Sequence, residues 1–235
     1  MRTASVRGSM SLPGAAVSLG ATVVSLLFAA LVFRQWVSRR KPFQFAWSVG
    51  LALYGIAAFT QFLAEAYGWS ATTYKVYYLI AAPLVAVLGV GSLLLVHRRA
   101  GIGFALYTLI VFLGFSIAVV GTTVNPAAFQ APIPVPSVAI PDSNVRIFSP
   151  LFTIPGSVAL IGVAAYSYWR TRLAFNLWIG VGALVIAIGG SFARFDLPWA
   201  LYVGEFLGIA VMFRGFLASQ DLAKSGAPAA THVST

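Results

Sequence analysis

The sequence predicts an all-α integral membrane protein: a bundle of seven transmembrane helices, N-terminus outside and C-terminus in the cytoplasm. Three observations carry this expectation. Charged residues make up 9% of the 235-residue chain and hydrophobic residues 60%, whereas a soluble domain carries about 25% charged residues. Seven stretches approach the ~20 mostly apolar residues that a bilayer-crossing helix needs, in a chain of mean hydropathy +0.90. Lysine and arginine gather at alternate ends of those stretches, the bias that orients helices in membranes.

The first stretch, 15–33, follows Arg2 and Arg7 in the manner of a signal peptide. Its apolar run of about 19 residues ends on the basic stop Arg34, Arg39, Arg40 and Lys41, so it reads as a membrane helix. The second is 44–64. The third, 76–96, contains Pro83 within "YYLIAAPLVAVLG", where a lost backbone hydrogen bond predicts a kink. The fourth, 102–120, follows Arg98 and Arg99. Next comes 121–149, with five prolines and no periodic apolar pattern. Proline runs favour extended polyproline II segments, which predicts an outer loop lying across the mouth of the bundle. The fifth stretch, 151–169, leads into Arg170 and Arg172. The sixth and seventh are 174–193 and 198–217. Residues 1–13 are then an extracytoplasmic segment and 14–218 one membrane domain. Residues 219–235, rich in Ala, Ser and Thr, read as a disordered cytoplasmic tail.

A net charge of +10 could suggest nucleic acid, but the placement argues otherwise. Ten basic residues fall on the inner side: Arg34, Arg39, Arg40, Lys41, Arg98, Arg99, Arg170, Arg172, Arg214 and Lys224. Five fall outside: Arg2, Arg7, Lys75, Arg146 and Arg194. These residues set topology and touch anionic lipid, so membrane lipids are the expected partners, nucleic acid is not, and the plasma membrane is the expected location. The chain has no cysteine, which excludes disulfides, thiolate metal sites and thiol nucleophiles. His97 and His232 are isolated and the five acids are scattered. This pattern offers no metal cluster and no histidine–acid constellation for hydrolysis. No catalytic residue, metal or cofactor is therefore expected.

Two features bear on packing. "WVSRRKPFQFAWSVG" from Trp36 and "WRTRLAFNLWIGVG" from Trp169 form a faint repeat, in which Arg39 aligns with Arg172 and Trp47 with Trp178 after a two-residue gap. Both join helices on the inner side, which predicts a 3+1+3 arrangement of parallel repeats such as transporters contain. Gly204 and Gly208 form a G-x-x-x-G, and Ala183, Ala187 and Ser191 a small-residue stripe on the sixth helix. Such faces let helix backbones approach closely.

The candidate site comes from "LYVGEFLGIAVMFRGF", 201–216, where an apolar helix carries both Glu205 and Arg214. Nine residues separate them by about 13 Å and half a revolution, so they cannot pair. Arg214 can snorkel to the inner headgroups. Glu205 lies two turns below Pro198, too deep for its short side chain to reach water, and an intramembrane carboxylate marks a functional site by default. Partners at the same depth are Tyr54, Gln61 and Glu65 on one face of the second helix, and Tyr74, Lys75 and Tyr78 opening the third. Ser191, Arg194 and Tyr202 complete the set. These ten residues are the expected ligand-binding group, with acids and bases in balance and Glu205 as a candidate protonation site. A Glu205–Arg194 ion pair serving only as an interhelical tie is the competing expectation.

Seven spans with an outside N-terminus resemble the plan of microbial rhodopsins and of sugar-transporting seven-helix carriers, in helix count and orientation. The retinal-bearing lysine of the rhodopsins has no counterpart, because Lys41, Lys75 and Lys224 all lie away from mid-membrane. The Pro-Gln signature of the carriers is absent, so no family is assigned. The expected activity is non-enzymatic: binding or transport of a small amphiphilic ligand through an outward-facing polar-aromatic pocket. The alternative is a structural or assembly subunit with a helix-mediated oligomer or membrane partner, and a lipid-modifying enzyme comes third. The charge bias yields a first prediction. A reporter fused after Thr235 will be cytoplasmic and one inserted in 121–149 will not; an extracytoplasmic C-terminal reporter overturns the orientation.

Overall fold

The computed structural model describes residues 12–130, 134–192 and 198–224, and every regular element among them is helical. In chain order the α-helices are α1 (Leu12–Arg39), α2 (Pro42–Tyr67), α3 (Ala71–Ala81), α4 (Leu84–Val96) and α5 (Arg98–Gly121). Then follow α6 (Pro136–Ala139), α7 (Ser143–Arg146), α8 (Phe148–Thr171), α9 (Ala174–Phe192) and α10 (Pro198–Lys224).

Six helical segments among the described residues are long and apolar enough to cross a membrane, which marks an integral membrane protein. They are Pro13–Arg39, Pro42–Tyr67, Ala71–Val96, Arg98–Gly121, Ser143–Thr171 and Trp199–Asp221. The sixth expected span, in α9, is apolar over the shorter Ala174–Gly190. Helix α10 also runs past the expected boundary at 218 to Lys224, leaving the rest of the tail outside the described residues.

Helix ends follow local chemistry. Pro42 opens α2, where its missing N–H costs nothing. Ser70 caps α3 by accepting from the Thr73 N–H at 3.1 Å, and the His97 ring caps α5 by accepting from the Ala100 N–H at 3.1 Å. Pro83 does more than bend its span: α3 stops at Ala81 and α4 restarts at Leu84. Pro155, inside α8, leaves the carbonyl four residues earlier without its usual donor. The Tyr107 hydroxyl of α5 donates to that Leu151 carbonyl at 2.9 Å.

Helices α1, α2, α4, α8, α9 and α10 form a closed circuit in which each packs on the next and α10 returns to α1. Helix α5 lies outside the circuit against α4 and α8. Phe28, Leu51, Leu88, Leu160, Ile209 and Met212 share the core inside the ring. A second apolar cluster sits under 121–149 and includes Tyr74, Tyr78, Phe115, Phe152, Ala139 and Ile140. That connection is not the extended strap expected from its prolines. It folds into a 3-10 turn, Pro126–Gln130, and the short helices α6 and α7, because proline fits a helical first turn as readily as an extended segment. The Asn125 N–H donates to the Ala139 carbonyl at 2.9 Å and ties its two arms together.

The corners that suggested a repeat match closely. Arg40 and Arg172 are the non-glycine residues of positive φ among the described residues, at 52° and 54°. Each donates its N–H to the carbonyl four residues back at 2.7 Å, on Trp36 and Tyr168 respectively. Arg40 rather than Arg39 therefore corresponds to Arg172, and the match needs no gap: Phe43 and Gln44 answer Phe175 and Asn176, and Gly50 answers Gly182.

A close backbone-to-backbone approach in the ring joins α9 to α10. A Cβ on Gly182 would stand 2.5 Å from the Gly208 carbonyl oxygen, and one on Gly204 2.9 Å from the Gly189 Cα. Gly204 and Gly208 thus pack as their spacing predicts, but their partners are Gly182 and Gly189 rather than the Ala183–Ala187–Ser191 stripe. Gly208→Ala should therefore lower stability by about 1–3 kcal/mol. Gly103→Ala and Gly162→Ala, where nothing lies within 4 Å, should be near neutral in thermal unfolding of the detergent-solubilised protein.

Candidate functional site

A cavity of about 550 Å³ opens among five segments of the ring, and each contributes residues at helical spacing. Helix α2 supplies Tyr54, Ala57, Ala58 and Gln61, one face at steps of three and four. Across the Pro83 break, Tyr77, Ala81, Leu84 and Val85 form a second stripe, and Thr153 and Ser157 of α8 flank Pro155. Ala183 and Ala187 of α9 give it room, and α10 adds Leu201 and Glu205.

Its walls are apolar and its few polar groups are placed by packing. Gln61 is 1% exposed, and its amide Nε2 has no hydrogen-bond partner among the described residues. Glu205 Oε2 is likewise buried without one among them. The Tyr54 hydroxyl donates to the Glu205 backbone carbonyl at 3.0 Å, which ties α2 to α10 at this depth. One turn beyond Gln61, the Tyr202 hydroxyl donates to the Glu65 carboxylate, both side chains being buried. A buried polar group is costly unless satisfied, so the two carboxyl groups stand in different positions. Glu65 is held in a bond, whereas Glu205, which lines the cavity, keeps one carboxyl oxygen buried without a partner among the described residues.

Of the ten expected residues, Tyr54, Gln61 and Glu205 line this cavity. Glu65 and Tyr202 form the bond beside it. Three residues of the third span go elsewhere. Tyr74 and Tyr78 stack with ring centroids 6.1 Å apart in the cluster beneath 121–149. The Lys75 ammonium donates to the Val120 carbonyl at 3.0 Å, satisfying a carbonyl in the last turn of α5, where a cation is favoured. The Ser191 side chain and all of Arg194 lie outside the described residues, and with them the Glu205–Arg194 pair. None of the described residues of the 121–149 connection is among the lining groups. Tyr77, Thr153 and Ser157 escaped the sequence reading. The spacing of Tyr77, Ala81, Leu84 and Val85 is the signal that could have found the first.

Comparison of the chain with protein-family models, curated proteins and solved structures finds no match.

The contrast between the two acids is measurable. Tyr202→Phe removes a donor from a buried carboxylate and should cost about 1–3 kcal/mol in thermal unfolding. Glu205→Gln removes an acid with an open oxygen, so it should leave stability unchanged or raise it. A loss of about 3–5 kcal/mol, the cost of breaking a buried ion pair, would instead assign Glu205 to a tie.

Proposed function

We propose that this is a non-enzymatic, seven-span plasma-membrane protein that binds or transports a small amphiphilic ligand in the polar-aromatic cavity. One observation carries the reading: Glu205 and Gln61 line the same apolar-walled cavity, and an acceptor, Glu205 Oε2, and a donor, Gln61 Nε2, are buried without hydrogen-bond partners among the described residues. Leaving such groups unsatisfied costs about 1–3 kcal/mol each, which a ligand bearing an amine or hydroxyl and an acceptor would recover. The volume of about 550 Å³ falls within the roughly 300–1,000 Å³ of small-molecule sites, as does the mix of many apolar and few polar groups.

The seven-span reading counts α9 as a short span, with the N-terminus outside by the distribution of basic residues. The matching corners at Arg40 and Arg172 support a 3+1+3 plan: α1, α2 and α3–α4 answer α8, α9 and α10, with α5 between. The alternative, an assembly subunit, draws support from α5, whose Leu106, Ile110, Leu113 and Ile117 form an exposed apolar row outside the ring.

Native mass spectrometry of the purified protein discriminates the two. The ligand reading expects a small-molecule adduct that disappears in Gln61→Leu and Glu205→Gln proteins of normal thermal stability. A stoichiometric protein partner with no small-molecule adduct would overturn it in favour of the assembly reading.

A further inference from the structure

A second cavity, of about 560 Å³, opens at the other end of the ring, where α1 turns into α2 and α8 into α9. Buried apolar side chains, among them Leu51, Leu88, Ile209 and Met212, separate the two levels along α2, α4 and α10. The chemistry of this cavity is its own. Arg34 and Arg39 of α1 line it, and no acidic side chain is among its described lining residues. Gln44, only 3% exposed, donates its amide to Gln35 Oε1 at 3.2 Å, while its own Oε1 has no partner among the described residues. The indole N–H of Trp47 is also buried without a partner among them, its ring packed against Gly91. Phe43 and Gln44 belong to the first turn of α2, and Phe175 and Asn176 to the first turn of α9. The positive ends of two helices therefore converge on one cavity, as they do on bound anions elsewhere.

We infer that this cavity is a second binding site, for a phosphate ester that carries a free hydroxyl, of the glycerol-phosphate type. Two guanidinium groups supply donors for phosphate oxygens, and the positive ends of two helices favour the anion. Gln44 Oε1, without a partner among the described residues, accepts from a hydroxyl carried on carbon beside the phosphate, a position that inorganic phosphate does not offer. Leu31, Phe43 and Phe216 give the rest of the cavity an apolar lining, suited to the glycerol carbons or to the start of an acyl chain. The same head-group chemistry belongs to soluble glycerol 3-phosphate and to phosphatidylglycerol. This site does not depend on the ligand reading of the first cavity.

The test uses the full chain and reads fluorescence of Trp47, isolated as the difference between the wild-type protein and Trp47→Phe. In detergent the probes are glycerol 3-phosphate and inorganic phosphate; in nanodiscs they are phosphatidylglycerol and phosphatidylcholine. A saturable change with glycerol 3-phosphate supports the site with a soluble occupant, and a change confined to phosphatidylglycerol supports it with a lipid occupant. The Arg34→Gln/Arg39→Gln double variant should weaken either response at least about tenfold, and Gln44→Leu should erase the preference for glycerol 3-phosphate over phosphate. Arg98→Gln/Arg99→Gln, a charge-matched pair on α5 outside the cavity, should leave the response unchanged. Thermal unfolding checks that each variant is folded. No saturable change with any probe, or equal weakening by the two arginine pairs, overturns the inference.

Discussion

The arrangement depends on the backbone contact between α9 and α10. In lipid there is little hydrophobic force to hold apolar helices together, so close packing of small residues has to do it. Gly182 and Gly189 meet Gly208 and Gly204 at distances that admit no side chain. That seam also aims the site. Gly204 faces Gly189, so the next residue, Glu205, is turned about 100° away from the seam, toward the space between α10 and α2. The Tyr54 hydroxyl then fixes α2 against the Glu205 carbonyl. Small residues next to the seam, Ala183 and Ala187, leave the volume that larger side chains would fill.

The prolines impose a second constraint, and side chains from neighbouring helices answer it. Pro155 frees the Leu151 carbonyl, which Tyr107 satisfies from α5. Where α5 ends, Lys75 satisfies the Val120 carbonyl. Both bonds fasten α5, the first to α8 of the ring and the second to α3, while α5 itself stays outside the closed circuit of six helices. They also explain why a lysine at the right depth is absent from the cavity: backbone oxygens of a helix end, unsatisfied within their own helix, claim it first. Helical spacing sorts the tyrosines of α3, which ends before Pro83: Tyr77 goes to the cavity, while Tyr74 and Tyr78, one turn apart, pack in the cluster that includes Ala139 and Ile140.

These cases mark where the sequence is readable. Composition and apolar length foretell a helical membrane protein because they depend on sums over many residues. Pro83 and the Gly204–Gly208 pair are legible because each acts through its own backbone. The partner face on α9 is harder to read: Gly182 and Gly189 are seven apart, and a more regular alanine stripe lies one position along the same helix. The repeat is visible in the letters, but its register is off by one. The left-handed residue that ends α1 is Arg40, and nothing in a run of two arginines and a lysine says which will turn. Tyr54, Gln61 and Glu205 could be grouped by depth alone. Tyr74, Lys75 and Tyr78 share that depth but not the direction, which only the three-dimensional packing supplies.

The two cavities, finally, differ in the sign of their chemistry. Among the described residues, the lining of one includes an acid and no base, and that of the other two arginines and no acid. Tyr54 and Trp47, one in each lining, are seven residues apart on α2, an axial distance of about 10 Å, and the buried apolar layer lies between them. A group that satisfies an open carboxyl oxygen is a donor or a cation; a group that satisfies paired guanidinium ions and helix N-termini is an anion. A single ligand passing from one level to the other would meet the wrong charge at its destination. The matching corners at Arg40 and Arg172 stand where α1 turns into α2 and α8 into α9, and the side chains around them make that end of the ring chemically unlike the end that holds Glu205.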